Sequence, residues 1–305
     1  MNHRSLVKKV FNNFIKILPA SYLEEMFYQV GKLLGVRSFV CEKELGLFEG
    51  SIKDNMHRYF FSHGSWAPGL QYLIRTLFAN GPGTFVDVGA NIGLTTIPIA
   101  KDNSKIDLYA FEPESNNYLF LRKNIIANGI ELKIKTLNLA LFSEDCTLDM
   151  ELSENNMGDH RVRKQSISIP RSDYFNEESR STVKIQARRL DGVFKAQDLV
   201  KPIILKVDTQ GAEVQVFSGA INFLSEVDYL IVEYWPYGLQ RMGDTTDSFF
   251  KIIKQFPWAS IYDDNIPSVP KLLPISEFLA YLDSCQDKTG TDHLDILLSR
   301  HQIPE

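Results

Sequence analysis

The most constraining feature of this sequence is a short apolar strand that runs into a glycine-bearing turn, Thr84-Phe-Val-Asp-Val-Gly-Ala-Asn-Ile-Gly93. Thr84 to Val88 reads as a strand. The glycines at 89 and 93 let the chain turn tightly into a helix expected from Ile92. Strand, glycine turn and helix together form the opening unit of a doubly wound α/β fold, which binds its ligands beyond the carboxyl ends of its strands.

The alternation continues down the chain. Ile106 to Phe111 reads as a second strand, with Ser115 as the expected N-cap of the next helix and Asn128-Gly129 at its end. Leu132 to Leu139, Ile203 to Val207, Tyr229 to Val232 and Asp295 to Ser299 read as further strands. Ile203 to Val207 is nearly all apolar, as befits a strand buried on both faces. The predicted fold class is therefore α/β, a Rossmann-like, doubly wound and mostly parallel sheet. Pro98 falls several residues into the first helix and predicts a kink there.

Residues 1–36 read as helical, with a second apolar stripe at Leu23, Met26, Phe27, Val30, Leu33 and Leu34, and residues 37–80 as a connector ending in a helix from Pro68 to Phe78. A polar stretch near 153–181, holding Asn155, Asn156, Asp159, His160, Arg161 and Arg163, reads as a functional lid or a mobile loop. The division expected is an N-terminal helical extension and connector over 1–60, then a ligand-binding domain over 61–305 carrying that insertion.

Composition excludes several classes. A net charge of −5 without any extended basic block argues against nucleic acid. Cys41, Cys146 and Cys285 form no CxxC pair, so neither a zinc site nor a disulfide framework is indicated, and a reducing, cytoplasmic setting is expected. No apolar run reaches the roughly 18 residues of a membrane span. Arg4, Lys8 and Lys9 accompany Val7, Phe11, Phe14, Ile15 and Leu18 at helical spacing. Such a basic amphipathic helix either lies on a membrane surface or packs on the domain or on a partner subunit, which leaves a homo-oligomer open.

Four acids close four different strands: Asp87, Glu112, Asp208 and Glu233. A dinucleotide fingerprint carries a second glycine that lets the backbone approach a pyrophosphate. Here that position is Asn91, and Asp87 stands at the strand end, a poor setting for phosphates. S-adenosylmethionine (SAM) has no phosphate; it carries a sulfonium, an ammonium and an adenosine. Gly89 and Gly93 suit a tight turn beneath its methionine part, and Asp87 suits its ammonium, directly or through water. Glu112 is placed to accept both ribose hydroxyls, a geometry that serves NAD equally well. Alternatively, Glu112 only caps the following helix.

Three blocks carry a family resemblance: Phe85-Val-Asp-Val-Gly-Ala-Asn-Ile-Gly93, Phe111-Glu-Pro113 and Leu205-Lys-Val-Asp-Thr-Gln-Gly-Ala-Glu213. In order and spacing they resemble FkbM-type methyltransferases, over roughly residues 60–240 and including Trp66, Pro68 and Asn138 to Leu141. The resemblance implies a Rossmann-like class I methyltransferase fold and SAM as cofactor. It also implies O-methylation of a sugar, glycan or polyketide-like small molecule. It would put Asp87, Gly89, Asn91 and Gly93 on the methionine portion and Glu112 on the ribose. Gln210 departs from the pattern, since the family often has an acid there.

An alcohol needs a general base at neutral pH. Asp208 is the leading candidate, Glu233 the second, and His160 the third, unless it is merely a solvated loop histidine. Glu213 sits where its charge favours a helix dipole, which is as good an account as catalysis. Tyr234 and Trp235 either line a substrate pocket or belong to the core. Asp208 and Glu233 alone are a thin basis for metal, so no obligatory metal is expected. Arg161, Arg163 and Arg171 either recognise an anionic acceptor or form an exposed polar loop. Two rival functions stand beside the methyltransferase: an NAD(P)-dependent oxidoreductase, against which the missing second glycine argues, and a non-catalytic SAM-binding module.

Overall fold

Runs of apolar residues too short for helices become the central strands. In the computed structural model, which describes residues 20–79, 81–163, 180–284 and 293–303, the elements follow in chain order. They are α1 (Ala20–Leu33), β1 (Ser38–Lys43), β2 (Gly46–Ser51), α2 (Asn55–His63), α3 (Pro68–Phe78), β3 (Gly83–Val88), α4 (Thr96–Asp102), β4 (Ile106–Phe111), α5 (Ser115–Ala127), β5 (Ile134–Leu137), β6 (Ala140–Leu141), β7 (Cys146–Glu151), β8 (Arg161–Val162) and β9 (Thr182–Arg188). There follow α6 (Leu190–Val193), β10 (Ile203–Val207), α7 (Glu213–Ser218), α8 (Ile221–Glu226), β11 (Tyr229–Tyr234), α9 (Pro236–Met242), α10 (Thr246–Ile253), β12 (Trp258–Ile261), β13 (Leu273–Pro274), α11 (Ile275–Ser284) and β14 (Leu294–Ser299).

Eight strands form the main sheet, in the order β13-β12-β14-β11-β10-β3-β4-β5. β5, β4, β3, β10 and β11 are mutually parallel, while β14 runs antiparallel between β11 and β12. From β3 the chain moves to β4 on one side and returns through β10 on the other. The ends of β3 and β10 therefore form the topological switch point, where a crevice opens beyond the strands. This is the Rossmann-like, doubly wound arrangement expected from the alternating pattern.

Successive residues of each strand point to opposite faces, and both faces are covered. Val86, Val88, Leu205 and Val207 pack with Phe217, Phe223 and Phe249 on one side; Phe85 and Ile204 pack with Ile97, Leu121 and Leu73 on the other. Each such side chain contributes roughly 1.5–3 kcal/mol on burial.

Several expectations need correction. The segment 37–60 is a β1–β2 hairpin followed by α2, and it belongs to the sheet's own core: Phe48 and Phe60 are fully buried in the cluster that contains Phe85. Asn124 of α5 and Asn128, its C-cap, hydrogen-bond the backbone of Glu49 and Leu47, which fixes the hairpin against the domain. The first helix begins at Thr96, not Ile92, so Pro98 sits in its first turn. Backbone N–H groups there have no intrahelical acceptor, so the missing donor costs no helix bond and no kink follows. Ser115 is the first helical residue of α5; the N-cap is Glu114, whose side chain accepts from Asn117 N at 2.8 Å.

The polar insertion is only partly a loop. β6, β7, β8 and β9 build a second sheet, in the order β6-β9-β7-β8, with β8 inside the stretch expected to be irregular. Val183, Ile185 and Ala187 alternate with polar residues along β9 and pack with Met150 and Val162. Arg171, Cys285 and the basic residues before position 20 lie outside the described residues. No described helix is long and apolar enough to cross a membrane.

Candidate active site

A cleft of about 390 Å³ opens at the switch point, lined by the carboxyl ends of β3, β4, β10 and β11, by residues of α2 and α3, and by the second sheet. Six of the eight residues singled out from the sequence line it: Gly89, Asn91, Glu112, His160, Asp208 and Glu233. Asp87 and Gly93 do not.

The floor is the turn after β3. Gly89 has φ +86°, and a Cβ on it would lie 2.0 Å from the Asp208 carbonyl oxygen, so only glycine lets this turn pass the end of β10. Gly89 N and Ala90 N donate to Phe111 O at 3.0 and 2.9 Å, and Asp208 N donates to Val88 O at 3.1 Å. The turn is thus held from β4 and β10 together. Gly93, also at positive φ, packs on Ile97 and Leu121 instead of facing the cleft.

Glu112 is buried at the end of β4 and faces the cleft. Its two oxygens accept from Asn91 N (2.8 Å) and Glu114 N (2.9 Å), and burial pushes the carboxyl up to about 8, with Glu114 and Asp87 adding to the rise. Asn91, at φ +49°, keeps a buried Oδ1 with no hydrogen-bond partner among the described residues, beside this carboxylate. Asn138 ties β4 to the segment after β5 by donating to the carbonyls of Glu112 and Pro113.

Asp87 is not a cleft residue, contrary to the expectation that it would hold a ligand's ammonium. It is fully buried, with Thr96 Oγ1 donating to one oxygen and Lys206 Nζ 3.2 Å from the other. Lys206 is the one charged residue in the apolar strand β10. Burial works to lower its ammonium, but Asp87 and Asp208 outweigh that and hold it above its ordinary value. Its Nζ also lies 3.5 Å from Asp208 Oδ2, so this cation stands between the supporting acid and a cleft acid.

The side of the cleft formed by β10 and β11 is rich in carboxylates. Asp208 is two-fifths exposed, and Glu233, Asp264 and Asp295 stand around it. Gln210, at φ +56°, donates from Nε2 to Asp208 Oδ1 (2.9 Å) and to Glu233 Oε2 (3.2 Å). Its neutral amide bridges two carboxylates where an acid would add a third. Burial first, then Asp208, Glu213 and Asp295, drive Glu233 well above the carboxylate range. Burial and the neighbouring Asp264 and Asp208 push Asp295 up to about 8. Glu213 is buried and accepts from Thr209 N, Thr209 Oγ1 and Gly211 N, so it shapes the turn below Asp208 without lining the cleft.

His160 lines the cleft but is buried, not solvated, and burial holds its pKa below the ordinary value. Ser153 N donates to its Nδ1 at 3.0 Å. A neutral imidazole accepting at Nδ1 carries its proton on Nε2, where it is a donor and not a base. Arg161 and Arg163 are also not free to greet an anionic acceptor. Arg161 is buried, paired with Asp159 and set 4.7 Å over the Trp235 ring; Arg163 pairs with Glu151. Tyr234 and Trp235 are buried away from the cleft lining.

One wall escaped the sequence reading. Asp54 caps α2 through Met56 N and His57 N and also accepts from Met157 N at 2.9 Å. Asn55 N donates to Asn155 O, and Asn117 Nδ2 to Met157 O. Residues 156–158 are thereby fastened over the Gly-rich turn, with Met56, Trp66 and Leu70 completing the lining. An aspartate one residue before a helix is the signal that marks this segment.

Comparison with known proteins adds four findings. The family model described as the Methyltransferase FkbM domain matches residues 87–256. Among curated proteins, the chain is 27% identical over 175 residues to "Methyltransferase sdnD" of Sordaria araneosa, covering 51% of this chain and 68% of that one. It is 28% identical over 168 residues to "Hexuronic acid methyltransferase AglP" of Haloferax volcanii, covering 54% of this chain and 62% of that relative. Among solved structures, a "Methyltransferase FkbM" from Methylobacillus flagellatus aligns at 14% identity and TM-score 0.41, over 80% of this chain and 55% of that one.

Proposed function

The chain belongs to the Methyltransferase FkbM family, and from that premise we propose that it transfers the methyl group of SAM to a hydroxyl of a sugar, glycan or polyketide-like small molecule. The observation that carries this reading is the pairing of Glu112 and Asp208 in one cleft, on either side of a turn that only Gly89 can make. The relative from Haloferax volcanii is named for a hexuronic acid, which supports a sugar-like acceptor.

The residues fit the cofactor. The orphaned Oδ1 of Asn91 and the carboxylate of Glu112 are acceptors that a nucleoside with free hydroxyls would satisfy. Glu112 would take the ribose hydroxyls, and Gly89 and Asn91 would lie against the methionine part. Bound SAM supplies a methyl group already activated by a sulfonium. Asp208 removes the proton of the acceptor hydroxyl as its oxygen attacks, and the proton ends on the Asp208 carboxyl. Lys206 stays charged and serves as the counter-ion that orders Asp87 and Asp208. Gln210 holds Asp208 and Glu233 apart at fixed spacing, and Glu233, driven toward its protonated form, is a donor for a second acceptor hydroxyl. Holding acceptor and methyl group in line is worth several kcal/mol.

Two measurements on one sample test this. Titration calorimetry is expected to show uptake of SAM and of its demethylated product, and melting shifts are expected with SAM but not with NAD. A labelled-methyl assay against fractionated cell-surface sugars and their precursors then identifies the acceptor. Well-folded protein that takes up neither SAM nor its product would refute the proposal.

A further inference from the structure

The carboxylates beyond β10 and β11 outnumber the bases that face them. Asp208, Glu233, Asp264 and Asp295 line the cleft together, and Lys206 is the one lysine or arginine among the described residues that line it. Lys206 is already divided between Asp87 and Asp208, at 3.2 and 3.5 Å. His293 also lines the cleft, and its Nε2 lies 3.8 Å from Glu233 Oε1, so its charge when protonated goes to that acid. Asp264 and Asp295 are left without a basic side chain of their own among the described lining residues.

The fold holds these two acids in place. Gly69 N, in the first turn of α3, donates to Asp264 O at 2.6 Å. A Cβ on Gly69 would lie 2.0 Å from Asp263 O, so only glycine lets α3 press against this segment. Tyr262 N donates to Asp295 O at 3.0 Å and fastens the same segment to β14. Burial first, and then Asp208, push the Asp264 carboxyl up to about 6 against the pull of Lys206, so it is largely ionised at neutral pH. Its Oδ1 is nevertheless buried with no hydrogen-bond partner among the described residues. A buried acceptor left unpaired is costly, and a ligand that donates to it removes that cost.

The surroundings select the donor. Among the described residues no three His, Cys, Asp or Glu side chains converge to hold a metal ion, which makes a bare divalent cation a poor occupant. An ammonium supplies three donors and no acceptor. Trp66 adds an aromatic side chain to the same lining, a group that favours cations. Resting on the methyl-transfer reading, we propose that the acceptor is an amino-bearing polyol of the amino-sugar class, whose ammonium is held by Asp264 and Asp295 while a neighbouring hydroxyl meets Asp208. An anionic acceptor is rejected, because its carboxylate would face Asp208, Glu233, Asp264 and Asp295. The acceptor therefore differs in charge from the hexuronic acid in the name of the Haloferax volcanii relative.

The test compares three disaccharides of one linkage, built from glucosamine, glucose and glucuronic acid, on protein saturated with demethylated SAM. Calorimetry is expected to rank glucosamine at least about tenfold tighter than glucose, and glucuronic acid at least about tenfold weaker than glucose. In an Asp264→Asn/Asp295→Asn variant, SAM uptake is expected to stay at the parent's level while the advantage of glucosamine over glucose disappears. The ranking by the parent decides the matter even if that variant does not fold. Equal binding of the three, a preference for glucuronic acid, no binding of the glucosamine disaccharide, or an advantage that survives in the folded variant overturns the proposal. So does a melting shift with magnesium chloride alone that the variant removes. Each of these results with SAM uptake intact sinks this inference alone, whereas a parent that takes up no SAM sinks the methyl-transfer reading along with it.

Discussion

Replacing Lys206 by methionine removes the cation that faces Asp87. Asp87 has no solvent exposure, and its other side-chain partner among the described residues is the Thr96 hydroxyl. At the observed 3.2 Å the Coulomb attraction is about 5 kcal/mol for an effective dielectric constant of ~20. Desolvation of both groups offsets much of this in the intact pair, so the pair itself adds little net stability. Breaking it is different, because an uncompensated buried charge remains at a typical cost of about 3–5 kcal/mol. Thr96 still donates to Asp87, so Lys206→Met is expected near the lower end, about 3 kcal/mol. The assay is urea unfolding at neutral pH of the parent, Lys206→Met, Asp87→Asn and the double variant. Once both charges are gone, the amide oxygen that Asp87→Asn introduces can still accept from Thr96. The double variant is therefore expected to recover at least about 2 kcal/mol relative to the sum of the singles. Two outcomes refute the reasoning: a Lys206→Met variant within about 1 kcal/mol of the parent, or single effects that add to within about 0.5 kcal/mol.

Glu112 gives a pH dependence. Its carboxyl is raised from the ordinary carboxylate range to about 8, so the stability it contributes is fully present below about 4.5 and is lost as pH rises through about 8. Ribose hydroxyls would bond its ionised form, so SAM affinity is expected to rise up to about tenfold between pH 7 and pH 9 by calorimetry, a rise that Glu112→Ala abolishes while weakening SAM at least tenfold. Asp208→Ala is expected to keep SAM affinity and lose turnover, and an active variant in the labelled-methyl assay removes Asp208 from the mechanism. Gly89→Ala sets a methyl group 2.0 Å from a backbone oxygen at positive φ, and a loss of more than about 2 kcal/mol is expected in urea unfolding.

The central sheet was legible because its strands are buried on both faces. Ile203 to Val207 and Thr84 to Val88 need apolar residues almost throughout, and no amphipathic helix has that pattern. The second sheet was not, because β9 alternates buried and exposed residues and β7 carries Asp149 and Glu151, so neither shows the continuous apolar run of β3 or β10. The strand-end acids were found as a set, yet the role of Asp87 was misjudged. Its ion-pair partner is 119 positions away, and spacing along the chain says nothing about who meets whom across a parallel sheet. His160 was found as a residue of the cleft, but its role depends on which ring nitrogen takes the Ser153 amide, a matter of loop geometry alone.

The bonds radiating from Asp54 bear on how far this activity is portable. The residues matched to the family begin at position 87, whereas Met56 and Trp66, which line the cavity, and Asp54, which holds Met157, all precede them. A fragment trimmed to the matched boundary would expose the Gly-rich bend to bulk water and release the 156–158 segment from its anchor. Anyone grafting this module onto another chain would have to carry the hairpin and the two helices after it as part of the catalytic cassette.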